Sequence, residues 1–191
     1  NTLSVIYEQT NFSETTPVPV VGIVEFGVEM LEKELTKSEN NKALILGTPT
    51  TIGQNTHKKE LLKKGCKSES ISTQACMSLE SEIQTDPRSD LVRTMIEMYA
   101  QEGLDNLTIP EDGQLAVGLC CTHYQYAGDL FAKVISKLSG KPVTILDPNV
   151  GMSNFIFEQS DTQKFKMTSV CVEVISQAKV NPEDINSISN I

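Results

Sequence analysis

Short apolar runs rich in β-branched residues recur along this chain, each followed by a stretch long enough for a helix. They stand at residues 20–24 (VVGIV), 43–46 (ALIL), 115–119 (LAVGL) and 143–146 (VTIL). Runs this short, without polar alternation, mark strands buried on both faces. Between them the periodicity predicts helices at 27–37, with Val28, Leu31 and Leu35 on one stripe, and at 51–64, stopping at Gly65 in the position after the last helical turn. Further helices are predicted at 79–84, 90–101 and 124–138, the last with Phe131, Val134, Ile135 and Leu138 inward and Gly140 as its stop. Residues 70–74 and 155–157 are candidate strands, residues 3–7 begin a short helix, and Ser160 suits the N-cap of a helix over 161–178. Strands alternating with helices in this way specify an α/β fold with a largely parallel sheet.

At 191 residues the chain is long enough to bury a proper core. Its net charge of −9 argues against binding nucleic acid, because neutralising phosphates takes clustered Lys and Arg. The one basic cluster, Lys58, Lys59, Lys63 and Lys64, falls on one predicted helix and is read as a solvated face. Five cysteines, Cys66, Cys76, Cys120, Cys121 and Cys171, match no disulfide framework or metal-site spacing. Free thiols point to a reducing, cytoplasmic compartment. No apolar run approaches a membrane span, so no membrane partner is expected.

In parallel sheets ligands bind beyond the carboxyl ends of the strands. Two such ends carry groups that bind or react: Gly47-Thr48-Pro49-Thr50-Thr51 and Cys120-Cys121-Thr122-His123. The first offers hydroxyls and unpaired N–H groups at a helix start, suited to a carboxylate or phosphate. It lacks the lysine and the length of a nucleotide-binding loop. In the second, a cysteine leaving a strand just before a helix has its sulfur near the helix N-terminus, where thiolate is favoured. Thr122 adds a hydroxyl, and His123 a group that exchanges protons near neutral pH. Strand alternation points Cys120 away from Cys121, which leaves Cys120 as a small buried hydrophobe.

Residues 118–124 (GLCCTHY) resemble the second cysteine motif of glutamate racemases, a strand ending in Gly-Cys-Thr-His-Tyr-Pro. Residues 43–61 (ALILGTPTTIGQNTHKKEL) are similar to that family's Gly-Thr-x-x-Thr strand-turn-helix. Residues 20–27 (VVGIVEFG) resemble its interdomain Ile-Glu-Pro-Gly segment, and 155–165 (FIFEQSDTQKF) its late strand and closing helix. Asn1-Thr2-Leu3-Ser4 looks like the tail of the first cysteine motif, Cys-Asn-Thr-Ala-Ser. The set covers nearly the whole chain in the family's order.

The resemblance implies two pseudo-symmetric α/β lobes. Residues 1–24 and 146–191 would be the remainder of a first, incomplete lobe, and 25–145 the second. It implies an isomerase that inverts the α-carbon of glutamate without a cofactor or metal, supplying D-glutamate for the cell wall. One thiolate removes the Cα proton while a thiol on the opposite face delivers another. By position Cys121 would be one of those thiols and His123 its assisting acid or base. Asn1, Thr2, Thr48, Thr51 and Thr122 would hold the substrate. The first catalytic cysteine would stand immediately before Asn1, so the chain by itself is expected to be inactive. The resemblance also allows a homodimer. Several positions depart from the pattern: Cys120 replaces Gly, Gln125 replaces Pro and Leu3 replaces Ala. His57 replaces Tyr and is expected on the helix surface, and Gln84 stands where the family has Glu, with Glu80 and Glu82 nearby. Alternatives on the same fold are a one-cysteine decarboxylase or isomerase and a catalytically dead binding homologue.

Overall fold

The computed structural model describes residues 21–159 and residue 169. Four parallel strands, β1 (Lys42–Gly47), β2 (Ile71–Ala75), β3 (Leu115–Leu119) and β4 (Val143–Leu146), form one sheet in the order β2-β1-β3-β4. The helices are α1 (Ile23–Leu35), α2 (Pro49–Gln54), α3 (Thr56–Lys63), α4 (Leu79–Thr85), α5 (Asp90–Leu104), α6 (Gly128–Ser139) and α7 (Pro148–Gln159).

Every residue of β1 and β3 is buried, and alternate residues serve two separate cores. Leu44 and Leu46, with Leu115, Val117 and Leu119, join Val92, Ile96 and Ala100 of α5 and Phe131, Val134 and Ile135 of α6. Ala43, Ile45 and Ala116 join Val24, Val28, Leu31 and Leu35 of α1 and Leu61 of α3 on the other face. The unbroken apolar runs in the sequence are therefore the two-sided burial that a parallel sheet requires. Gly118 lets α1 approach closely: a Cβ there would lie 3.3 Å from both terminal methyls of Leu31.

Several boundaries differ from the sequence reading. Residues 23 and 24 open α1 rather than belonging to a strand, and residues 155–157 lie within α7 rather than forming a fifth strand. Short apolar runs do not declare their period: Val24 faces a core from α1, whereas Phe155, Ile156 and Phe157 are exposed on α7. The helix expected over 51–64 is two helices, broken at Asn55, which takes the left-handed conformation (φ 55°) that Asn tolerates better than most residues. Gly65 follows the second with φ 90°, the terminator it was read to be. Residues 124–127 form a single 3₁₀ turn before α6, and Leu138 is exposed rather than inward. The helix read at 90–101 runs on to Leu104, and Gly103 lets its last turn lie against Leu44, where a Cβ would fall 2.5 Å from the methyl. The expected helices at 3–7 and 161–178 lie outside the described residues.

Candidate functional site

The strand order brings two distant segments together. From β1 the chain crosses to β2 on one side, then returns past β1 to β3 on the other, so connections leave the sheet in opposite directions at the carboxyl ends of β1 and β3. That reversal leaves a crevice. Thr48 leaves β1 there and Cys121 follows β3 there, with the Cys120 N–H donating to the Leu46 carbonyl at 2.8 Å. A cavity of about 210 Å³ opens at this point, lined by Ile23, Thr48, Thr51, His57, Leu119, Cys120, Cys121, Thr122, Pro148 and Asn149.

Thr48 caps α2: its Oγ1 accepts from the Thr51 N–H at 3.3 Å and lies 2.9 Å from the Thr51 hydroxyl. Pro49 occupies the first helical position, where its missing N–H costs nothing. Gly47 permits this fold-back, since a Cβ there would lie 3.0 to 3.2 Å from Thr51 and Ile52. The two hydroxyls thus stand side by side at the cavity wall.

Cys121 is half-buried, with Sγ 3.9 Å from His123 Nδ1. The expectation that a helix N-terminus holds it as thiolate is not met. Only the 3₁₀ turn follows it, α6 begins at Gly128, and burial pushes the thiol up. The backbone N–H groups of His123 and Tyr124 pull the other way, and the Glu80 charge adds to the rise. Burial therefore favours the thiol form of Cys121, with the His123 ring beside it. Cys120 points into the opposite core, as strand alternation requires, and burial pushes its thiol up to about 12. Thr122 is exposed at the rim, where its carbonyl accepts from Asn149 Nδ2 at 3.5 Å.

Two residues of this site are not those the sequence points to. His57, expected on the helix surface, is only 5% exposed and lines the cavity. Burial lowers its pKa to about 4, so the ring is neutral near pH 7. Gly27 makes room for it, a Cβ there falling 3.2 Å from the imidazole. The flanking Lys58 and Lys59 suggested solvent, but His57 lies one helical turn from buried Leu61, and that spacing was the available signal. Asn149 is the second: after β4, Asp147 Oδ1 accepts from its N–H (3.0 Å) and its Nδ2 (2.8 Å), which fixes it at the cavity. A polar Asp-Pro-Asn at a strand's carboxyl end marks such a position. Glu80, one of the two acids noted beside Gln84 in the sequence, has one buried carboxylate oxygen without a hydrogen-bond partner among the described residues, and Gln84 lies one turn further along α4. Asn1 and Thr2 lie outside the described residues. Among the described residues no group of three or more His, Cys, Asp or Glu is placed to hold a metal ion, and no helix is long and apolar enough to cross a membrane.

No protein-family model and no curated protein sequence matches this chain. Among solved structures it is similar to the glutamate racemase of Campylobacter jejuni subsp. jejuni, with 20% identity and a TM-score of 0.66, over 94% of this chain and 66% of that one. A glutamate racemase from Francisella tularensis subsp. tularensis SCHU S4, solved in complex with D-glutamate, matches at 20% identity and TM-score 0.60, over 85% of this chain and 55% of that one. One from Bacillus anthracis matches at 23% identity and TM-score 0.55, over 83% and 54%. The chain therefore spans between about half and two-thirds of the length of these proteins. At such identities the likeness is one of fold, and the fold is that of a glutamate racemase lobe.

Proposed function

We propose that this protein inverts the α-carbon of a free amino acid, glutamate by the resemblance, with Cys121 serving one face of that carbon. The observation that carries the reading is the Cys121 thiol, 3.9 Å from an imidazole nitrogen at the strand-end crevice that Thr48 and Thr51 also line. His123 takes the thiol proton. The thiolate then removes the Cα proton, and the electron pair is left on Cα, delocalised into the adjacent carboxylate. The hydroxyls of Thr48, Thr51 and Thr122, with Asn1 and Thr2, hold the substrate's charged groups. Fixed donors in a site closed to water stabilise the carbanion more than water would. A second acid on the opposite face delivers the new proton; in the reverse direction Cys121, as thiol, delivers it. That second group comes from outside the described residues, in a two-lobed arrangement with residues 25–145 as one lobe.

The test is hydrogen–deuterium exchange at Cα, followed by proton NMR on D- and L-glutamate in heavy water. It is run on the 191-residue chain and on the product of the full reading frame. Cys121→Ser lowers the exchange by about a hundredfold or more in at least one direction. Exchange that survives Cys121→Ser unchanged contradicts the proposal. Loss of carbon dioxide from a malonate-type substrate, without exchange, would move the reading to the one-cysteine class.

A further inference from the structure

A second cavity, of about 240 Å³, lies at the opposite, amino end of the sheet. Ser38, Glu39, Lys64, Gly65, Lys67 and Ser70 are among its lining residues. Ser70 is buried, yet it contributes to the wall. Behind it stands Lys42, the first residue of β1, only 8% exposed, with Nζ donating to Ser70 Oγ at 3.0 Å. Among the described residues no carboxylate lies within ion-pairing distance of this ammonium, and no acceptor takes the Ser70 hydroxyl proton. Burying an unpaired ammonium is costly, and a chain tolerates it where something else balances the charge. A hydroxyl that accepts from an ammonium is also a stronger donor. Ser70 therefore presents a polarised O–H in the wall of a cavity whose rim carries two more ammonium groups.

We propose that this cavity binds a phosphate-like oxyanion, with the Ser70 hydroxyl backed by Lys42 at its floor and with Lys64 and Lys67 at its rim. Lys64 is paired with Glu32 at 2.7 Å and Lys67 with Glu39 at 3.0 Å, so each rim ammonium keeps further donors while its own charge is balanced. Among the described residues the ammonium of this cavity without a paired carboxylate is that of Lys42. Glu39 lies on the rim and competes with the anion for Lys67. The site is remote from Cys121 and does not depend on the proposed reaction.

The test is titration of the full chain with inorganic phosphate at constant ionic strength, read from the amide resonances of Gly65, Cys66 and Ser70. The expected result is saturable shifts at these amides. Lys42→Met and Ser70→Ala weaken the apparent affinity by about tenfold, and Glu39→Gln strengthens it by about threefold. The gain in Glu39→Gln cannot come from unfolding, so it decides the matter even if Lys42→Met folds poorly. Glycerol phosphate in place of phosphate assigns the site to an ester if it binds more tightly, and to the free anion if it does not. Shifts that are linear in phosphate and spread over the surface, or equal affinity in the wild type, Ser70→Ala and Glu39→Gln, overturn the proposal.

Discussion

The two ends of the sheet are built from the same four strands and do opposite things with their polar groups. At the amino end Asn41, buried, donates from Nδ2 to the Glu34 carbonyl at 2.8 Å and accepts from the Gln114 N–H at 3.0 Å. It thereby ties the end of α1 to the entry of β3. Asn40 meets the Asp112 carboxylate, and Lys141 caps the carbonyls of Pro110 and Glu111. At the carboxyl end Thr48, Thr51, His57, Cys121 and Asn149 line the cavity between the ends of β1 and β3. The lesson is that polarity alone does not distinguish a site from a seal. Asn41 and Lys141 close on backbone groups of neighbouring loops; the Thr48, Thr51, His57 and Cys121 side chains line a cavity.

The largest effect that separates the two ends is pH-dependent. His57 has a folded pKa near 4 against about 6.5 when unfolded, so the unfolded chain binds more protons between those values. Stability is full above about pH 6.5 and falls as the pH drops toward 4, by up to about 3 kcal/mol. Denaturant melts of wild type and His57→Gln across that window check this: the variant's acid limb is flatter. Equal slopes would remove His57 from the buried wall. Next, Asn41→Ala costs about 2 kcal/mol, from two lost hydrogen bonds and the groups they leave unpaired, while glutamate affinity is unchanged. Thr48→Val does the reverse. It costs about 1 kcal/mol through the lost N-cap but weakens glutamate binding measurably by calorimetry. Were Asn41→Ala to weaken binding more than Thr48→Val, the division between seal and site would fail.

The carboxyl end was the more legible of the two in the sequence. A buried run that stops at Gly-Thr-Pro or at Cys-Cys-Thr-His announces a strand end with reactive groups, and the strand order then brings those two ends together. The amino end left no such trace, because Asn41 and Lys42 precede an apolar run as loop residues do everywhere. His57 was missed for a related reason: its burial depends on α1 and on Pro148 at the start of α7, both far away in sequence. The start of α1 and residues 155–157 were misread because short apolar runs do not declare their period. The resting state of Cys121 was misread because it depends on where α6 begins, four residues later than periodicity suggested.

The most direct test of the central claim is to map D-glutamate onto the full chain by amide and side-chain chemical shifts. The account predicts saturable shifts at Thr48, Thr51, Cys121 and Thr122 and at the His57 ring, with Asn41, Lys42 and Ser70 unmoved. Shifts centred on the amino end, or none at the β1 and β3 carboxyl ends, would contradict it.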